Sequence, residues 1–170
     1  KAIEAFDYAI ALEPDAPFSY FSKANALANC ARFTEALVVF FEYAQMEEDT
    51  GMAMCCIGEC YEKLEDFDNA GIYYRKSLES DPDNSDALYG LAVVELENDN
   101  VEVSYDLATR AIELDANIPE YWFGLGKLNM RLDKPDEAKA AFETAVALDP
   151  LDFESWLILS EIFADESLPT

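Results

Sequence analysis

The sequence predicts an all-α protein built from repeated pairs of helices. Three observations lead to this prediction: an apolar pattern that recurs every 34 residues, small residues at two fixed places in each recurrence, and helix-breaking turns between the apolar segments. A period of this length is typical of solenoid proteins, in which each unit packs mainly on its neighbours. The 170 residues of the chain have room for five such periods.

Each recurrence contains two amphipathic segments. The first has large apolar residues at repeat positions 4 and 7, such as Trp122 and Leu125. The second has apolar residues at positions 20, 24, 27 and 28, a spacing that places them on one face of a helix. Each recurrence therefore predicts two helices that pack through these apolar faces.

Small residues at repeat positions 8 and 20 are the most specific part of the pattern. Two helices approach closely only where one side chain of the contact is nearly absent. The ten residues at these positions are all alanine, glycine or serine, which predicts the same close crossing in every pair. They are Ala24, Gly58, Ala92, Gly126 and Ser160 at position 8, and Ala2, Ala36, Ala70, Ser104 and Ala138 at position 20.

The turns between the apolar segments set the expected helix bounds and the division into repeats. Proline and acidic residues interrupt the pattern, and Pro135 suits the first turn of a helix. The predicted helices span residues 1–12, 17–30, 33–46, 51–64, 67–80, 85–97, 101–114, 119–132, 135–148 and 153–165. We expect one array over 1–170, with the second helix of a partial repeat in 1–16, full repeats in 17–50, 51–84, 85–118 and 119–152, and the first helix of a partial repeat in 153–170.

The composition argues against several classes of function. The chain has 36 acidic and 11 basic residues, a net charge of −25, and no apolar run long enough for a membrane span. Such an acidic chain repels nucleic acid. Histidine is absent from the sequence, which removes the commonest general base and the commonest metal ligand. We therefore expect no enzyme activity, no cofactor and no metal site.

These residues resemble the tetratricopeptide repeat family, whose unit is a 34-residue helix–turn–helix. The resemblance covers essentially the whole chain and is weakest in 85–118. It departs from the family pattern at Asn129, where the family usually has tyrosine. The resemblance implies a right-handed superhelix whose first helices line a concave groove. It is strongest in 119–152, on Trp122, Leu125, Gly126, Ala138, Phe142, Ala145 and Pro150.

The predicted groove combines apolar and acidic residues. Apolar residues recur at repeat position 5, and acidic residues alternate with them, which suits a peptide or helical segment with apolar and basic side chains. In the alternative interpretation, the position-5 side chains pack sideways on adjacent helices and are half-buried. The predicted groove residues are Phe18, Phe21, Asn25, Met52, Cys55, Glu59, Tyr89, Val93, Phe123, Lys127, Met130, Arg131, Leu157 and Glu161.

Two details refine the predicted partner. Some family members hold a C-terminal carboxylate in a clamp of lysine, arginine and asparagine, but here only Asn25 matches and Asp86 has the wrong charge. Lys127 and Arg131 lie one helical turn apart. They could bind a carboxylate of a partner, or they could pair with acidic residues of the groove, namely Glu120, Glu161 or Glu97.

The four cysteines, Cys30, Cys55, Cys56 and Cys60, are all expected within helices. They lack the spacing of a zinc knuckle, so buried thiols are the favoured interpretation. Thiols without a disulfide framework weakly favour a reducing compartment such as the cytoplasm.

The first and last helices each lack a partner of the complementary type, and we expect the sequence to be a piece of a longer repeat array. Helix 153–165 should expose Leu159, Ile162 or Phe163. One hypothesis is head-to-tail self-association, in which this helix packs on helix 1–12 of another molecule; the alternative is local fraying. Three functions thus stand at this point: a scaffold with a peptide-binding groove, a self-associating structural module, and a recruitment or regulatory region of a larger enzyme.

Overall fold

The computed structural model describes residues 1–47 and 50–166 and confirms the all-α fold. This part of the chain contains ten helices and no strand. The helices are α1 (Ala2–Leu12), α2 (Pro17–Ala28), α3 (Phe33–Ala44), α4 (Gly51–Lys63), α5 (Phe67–Ser80), α6 (Ser85–Glu97), α7 (Val101–Leu114), α8 (Pro119–Arg131), α9 (Pro135–Leu148) and α10 (Phe153–Glu166).

Four residues with a left-handed backbone follow the ends of first helices. Ala31, Glu65, Asp99 and Asp133 have φ between 56° and 62° and lie 34 residues apart in the sequence. In each case the next residue donates its N–H to a carbonyl in the last turn of the helix, for example Arg32 N to Leu27 O at 3.0 Å. This arrangement ends an α-helix by satisfying carbonyls that would otherwise lack a donor.

The left-handed turns explain a difference from the predicted bounds. Helix α2 ends at Ala28 rather than at residue 30, because Ala31 turns the chain away. Cys30 therefore lies in a turn and is exposed, so the expectation that all four cysteines lie within helices is wrong for this one.

The chain divides into two compact units, Lys1–Val94 and Glu95–Thr170, with the boundary inside α6. In unit 1, a buried cluster joins α2, α3 and α4 through Leu27, Phe40 and Ile57. In unit 2, a second cluster joins α9 and α10 through Phe142 and Leu159, with Phe123 of α8 packed against it. Each unit therefore contains its own apolar core.

The small residues lie where the sequence predicts close helix crossings. A side-chain carbon added to Gly58 would lie 2.8 Å from the ring of Tyr74, and one added to Gly126 would lie 2.6 Å from the ring of Phe142. The residues at positions 8 and 20 are buried in all four complete pairs, whereas Ala2 in α1 and Ser160 in α10 are exposed.

Gly90 is a third close crossing, which the repeat pattern did not single out. It lies in α6 at repeat position 6 and is buried against the ring of Tyr74 from α5. An added side-chain carbon there would overlap the ring. Tyr74 is thus covered on two sides by glycines, Gly58 and Gly90.

Candidate ligand-binding surface

Two large apolar side chains project into solvent from neighbouring first helices of unit 1. Phe18 in α2 is 78% exposed and Met52 in α4 is 68% exposed, and both occupy repeat position 2. Helices α2 and α4 contact each other directly. Because fully exposed residues of this size gain free energy when a partner covers them, they are the first candidates for a ligand contact.

Phe21 and Asn25, also on α2, are partly buried. The ring of Phe21 meets that of Phe40 edge to face at 5.8 Å and that of Tyr43 at 5.2 Å, measured between ring centroids. Asn25 Nδ2 donates a hydrogen bond to Phe21 O in its own helix at 3.1 Å. The alternative interpretation of position 5, sideways packing on an adjacent helix, therefore describes Phe21.

The middle of the unit 1 surface is acidic. Glu59 of α4 is exposed, whereas Cys55 one turn before it is buried and presents almost no accessible surface to a ligand. Loss of water around Glu59 raises the pKa of its carboxyl above the ordinary value of 4.5, and the like charges of Asp86 and Glu62 raise it further. A cation placed beside Glu59 would relieve this repulsion.

Glu62 connects this acidic surface to the core of unit 1. The hydroxyl of buried Tyr74 donates to Glu62 Oε2 at 2.8 Å, and Lys63 Nζ lies 3.1 Å from Glu62 Oε1. Burial and the charge of Glu62 raise the pKa of the Tyr74 phenol well above its ordinary value. Further along, Tyr89 and Val93 of α6 are half-buried.

In unit 2, the predicted groove residues of α8 are held by contacts within the chain. Phe123 is half-buried, with its ring 5.8 Å from that of Phe142, and Lys127 Nζ lies 5.5 Å from the centre of the Phe123 ring. Arg131 Nη2 forms an ion pair with Asp99 Oδ1 at 2.7 Å. Arg131 thus pairs with an acidic residue, as one interpretation predicts, but with Asp99 and not with Glu97, Glu120 or Glu161 in this contact.

A cavity of about 190 Å³ lies beside Phe123. It is lined by Pro119, Glu120, Phe123, Asp149, Asp152 and Glu154. Asp149 accepts the Leu151 N–H at 3.0 Å and Asp152 accepts that of Glu154 at 3.1 Å, so these two carboxylates shape the loop before α10.

Three more predicted groove residues lie at the surface of unit 2. Met130 is 51% exposed and Leu157 is 48% exposed, and Glu161 is also exposed. In α10, Leu159 is buried and Ile162 half-buried, whereas Phe163 is 44% exposed. Of the three residues that the sequence offers for an exposed end face, Leu159 is thus covered by its own unit.

The cysteines provide no cluster for a metal. Within residues 1–47 and 50–166, no three acidic or cysteine side chains are placed together so that they could hold a metal ion. Cys55 and Cys60 are buried and Cys56 is partly buried. Burial raises the pKa of Cys60 to about 11 and that of Cys56 to about 12, and it also raises the pKa of Cys55.

This arrangement predicts selective alkylation of one thiol. At about pH 8, iodoacetamide should label Cys30 within minutes and the other three cysteines at least about tenfold more slowly, because thiolates and not thiols react. Mass spectrometry of peptides after timed labelling measures each rate. Labelling in urea is the control and should make the four rates similar; fast labelling of Cys56 in the folded protein would contradict the prediction.

Comparison with known proteins identifies the class to which this fold belongs. Models of the tetratricopeptide repeat match residues 53–84, 73–102 and 119–152. The chain belongs to the tetratricopeptide repeat family.

A curated relative and two solved structures are among the proteins it resembles. Superkiller complex protein 3 of Homo sapiens is 28% identical over 135 residues, which are 76% of this chain and 8% of that protein. The Cut9–Hcn1 hetero-tetramer of the APC/C aligns with a TM-score of 0.89 at 16% identity, covering 98% of this chain and 34% of that one. The first repeat domain of Spaghetti (RPAP3), bound to an HSP90 peptide, aligns with a TM-score of 0.65 at 22% identity, covering 72% and 97%.

The chain thus spans less than a tenth of the length of this curated relative. The solved structures support the solenoid fold of helix pairs. No helix in the described part of the chain has the length and apolar character needed to cross a membrane.

Proposed function

We propose that this chain is a non-catalytic protein-interaction scaffold that binds a peptide or helical segment with apolar and basic side chains. The observation that carries the proposal is the pair of exposed apolar residues Phe18 and Met52 beside the acidic residues Glu59 and Asp86. We call the surface formed by these four residues the unit 1 groove. The peptide held by the Spaghetti repeat domain supports the use of this fold for peptide binding.

The two halves of the unit 1 groove contribute in different ways. Covering a large apolar side chain stabilises a complex by about 1.5–3 kcal/mol, so Phe18 and Met52 would supply most of the affinity. Charge complementarity mainly sets the association rate and excludes wrong partners. Glu59 and Asp86 would therefore select for lysine or arginine in the ligand and against acidic segments.

The first test uses an immobilised array of short peptides in which every lysine-containing sequence is paired with a glutamine-substituted form. We expect the wild-type chain to prefer the lysine forms that also carry large apolar residues. Replacing both Phe18 and Met52 with alanine should weaken binding on the order of tenfold or more, because two apolar contacts are lost. Both side chains are exposed in the unbound protein, so the fold should be preserved, as circular dichroism can verify.

A matched control removes similar apolar surface from second helices. Val38 in α3 and Ile72 in α5 are 58% and 47% exposed, and their joint replacement with alanine should leave peptide binding unchanged. Equal losses in both double variants, or a preference for acidic peptides, would refute the proposed groove.

Binding should also depend on pH through Glu59. A lysine side chain favours the ionised carboxylate, whose pKa is raised in the unbound protein, so affinity should increase as pH rises through that pKa, between about pH 4 and pH 7. The Glu59→Gln variant should show a smaller increase, because the remaining carboxylates still titrate. Fluorescence anisotropy of one labelled peptide from the array measures both curves; identical slopes would place the lysine elsewhere.

A further inference from the structure

Helix α10 presents a pairing face that nothing within its own unit covers. Ser160, at repeat position 8, is exposed, as are Trp156 at position 4, by 49%, and Phe163 at position 11, by 44%. At position 8 of the four complete pairs, by contrast, the small residue is buried under a second helix. The bare face is therefore the one that a second helix covers elsewhere in the chain.

The complete pairs show what such a helix must provide. In α8 and α9, the ring of Phe142 at position 24 lies directly over Gly126 at position 8, and Ala138 and Ala145 flank the ring at positions 20 and 27. In α4 and α5, Tyr74 covers Gly58 in the same way. The required pattern is thus an aromatic residue between two small ones, spaced to lie on one helical face.

Helix α1 has this pattern and also lacks a first helix of its own repeat. Its positions 20, 24 and 27 are Ala2, Phe6 and Ala9. No residue of α1 is buried: Ala2 is exposed, and Phe6 and Ala9 are only partly covered by their contacts within unit 1. The chain thus carries a bare first-helix face and a bare second-helix face that have matching residues.

We propose that α10 of one copy pairs with α1 of a second copy, so that a complete helix pair forms between two molecules. Phe6 then lies over Ser160, as Phe142 lies over Gly126. The hydroxyl of Ser160 donates to Leu157 O of its own helix at 2.7 Å, so its burial leaves no polar group without a partner. This interface is separate from the unit 1 groove.

Charge and symmetry define how the association behaves. The contact joins different faces of the two copies, so it is heterologous and can add further copies at both ends. Both copies are strongly acidic, with a net charge of −25 each, so repulsion opposes a contact that is itself apolar. Added salt should therefore strengthen association, whereas it should weaken the binding of a basic peptide.

The experiment uses two variants that each block one face. Ser160→Arg places a long charged side chain where helices must approach closely, and Ala2→Arg does the same on α1; each should reduce self-association on the order of tenfold or more. Ala140→Arg in α9 and Ala5→Arg in α1 are matched controls, because they add the same charge at exposed sites outside repeat positions 8, 20, 24 and 27. Sedimentation velocity at rising protein concentration, in low and high salt, measures the mass.

Mixing the two blocking variants provides the decisive result. Ser160→Arg leaves α1 available and Ala2→Arg leaves α10 available, so the mixture should form a dimer of twice the 19.1 kDa chain mass that cannot grow further. Failure to fold cannot produce this outcome. A wild-type chain that is monomeric at every concentration, even if another helix binds α10, would overturn the proposal, and so would association that both blocking variants leave intact.

Discussion

Replacing Phe142 with alanine is expected to lower the free energy of unfolding by about 3–5 kcal/mol. The ring is fully buried at the centre of the unit 2 core, where it contacts Phe123 and lies over Gly126. Its loss removes apolar burial and leaves a cavity that α8 and α9 cannot close, because their backbones already approach each other as closely as the ring allows. Urea unfolding followed by circular dichroism measures the change.

A matched phenylalanine is available in the same unit. Phe153, at the start of α10, is 74% exposed, and its replacement with alanine should change the stability by less than about 0.5 kcal/mol. If the two variants unfolded at the same urea concentration, the close crossing of α8 and α9 would not be the main contact of this core.

Replacing Gly90 with alanine is expected to destabilise unit 1 by about 1–3 kcal/mol, although alanine favours a helix by about 1 kcal/mol. The added methyl group would overlap the ring of Tyr74. That ring cannot move aside easily, because it is buried, lies against Gly58 on another side, and donates its hydroxyl to Glu62. Steric overlap should therefore outweigh the gain in helix propensity.

A double-mutant cycle separates this overlap from other effects of the substitution. In a Tyr74→Leu background the ring is absent, so Gly90→Ala should there be neutral or stabilising, with a coupling energy of about 1–3 kcal/mol. Thermal unfolding of the four proteins measures the coupling. Equal costs of Gly90→Ala in both backgrounds would show that the ring of Tyr74 is not the obstacle.

The helices could largely be predicted from the sequence, because their signals are local. Apolar spacing and proline turns gave the bounds of α5, α6, α7 and α9 as the structure has them. Helix α2 ends earlier than predicted because Ala31 adopts a left-handed conformation without glycine, the residue that usually marks it. A helix end that depends on backbone conformation alone leaves little trace in the sequence.

The candidate surface was less predictable, since periodicity indicates which face of a helix a side chain is on but not how deeply it is buried. Cys55 and Met52 were both assigned to the groove, yet one is buried and the other exposed. The ion pair between Arg131 and Asp99 joins residues 32 positions apart, and no local pattern selects that acidic residue over its neighbours. Which of the fourteen groove residues contact a ligand stays a prediction.

The left-handed turns have a consequence for how such a chain changes in length. Their backbone conformation recurs every 34 residues, although the side chains there are alanine, glutamate and twice aspartate. A gene that gains or loses one whole repeat between two such turns rejoins the chain at the same conformation, so no new turn has to form. Because each repeat also packs mainly on its neighbours, the number of repeats can change by duplication or deletion at little cost in local strain.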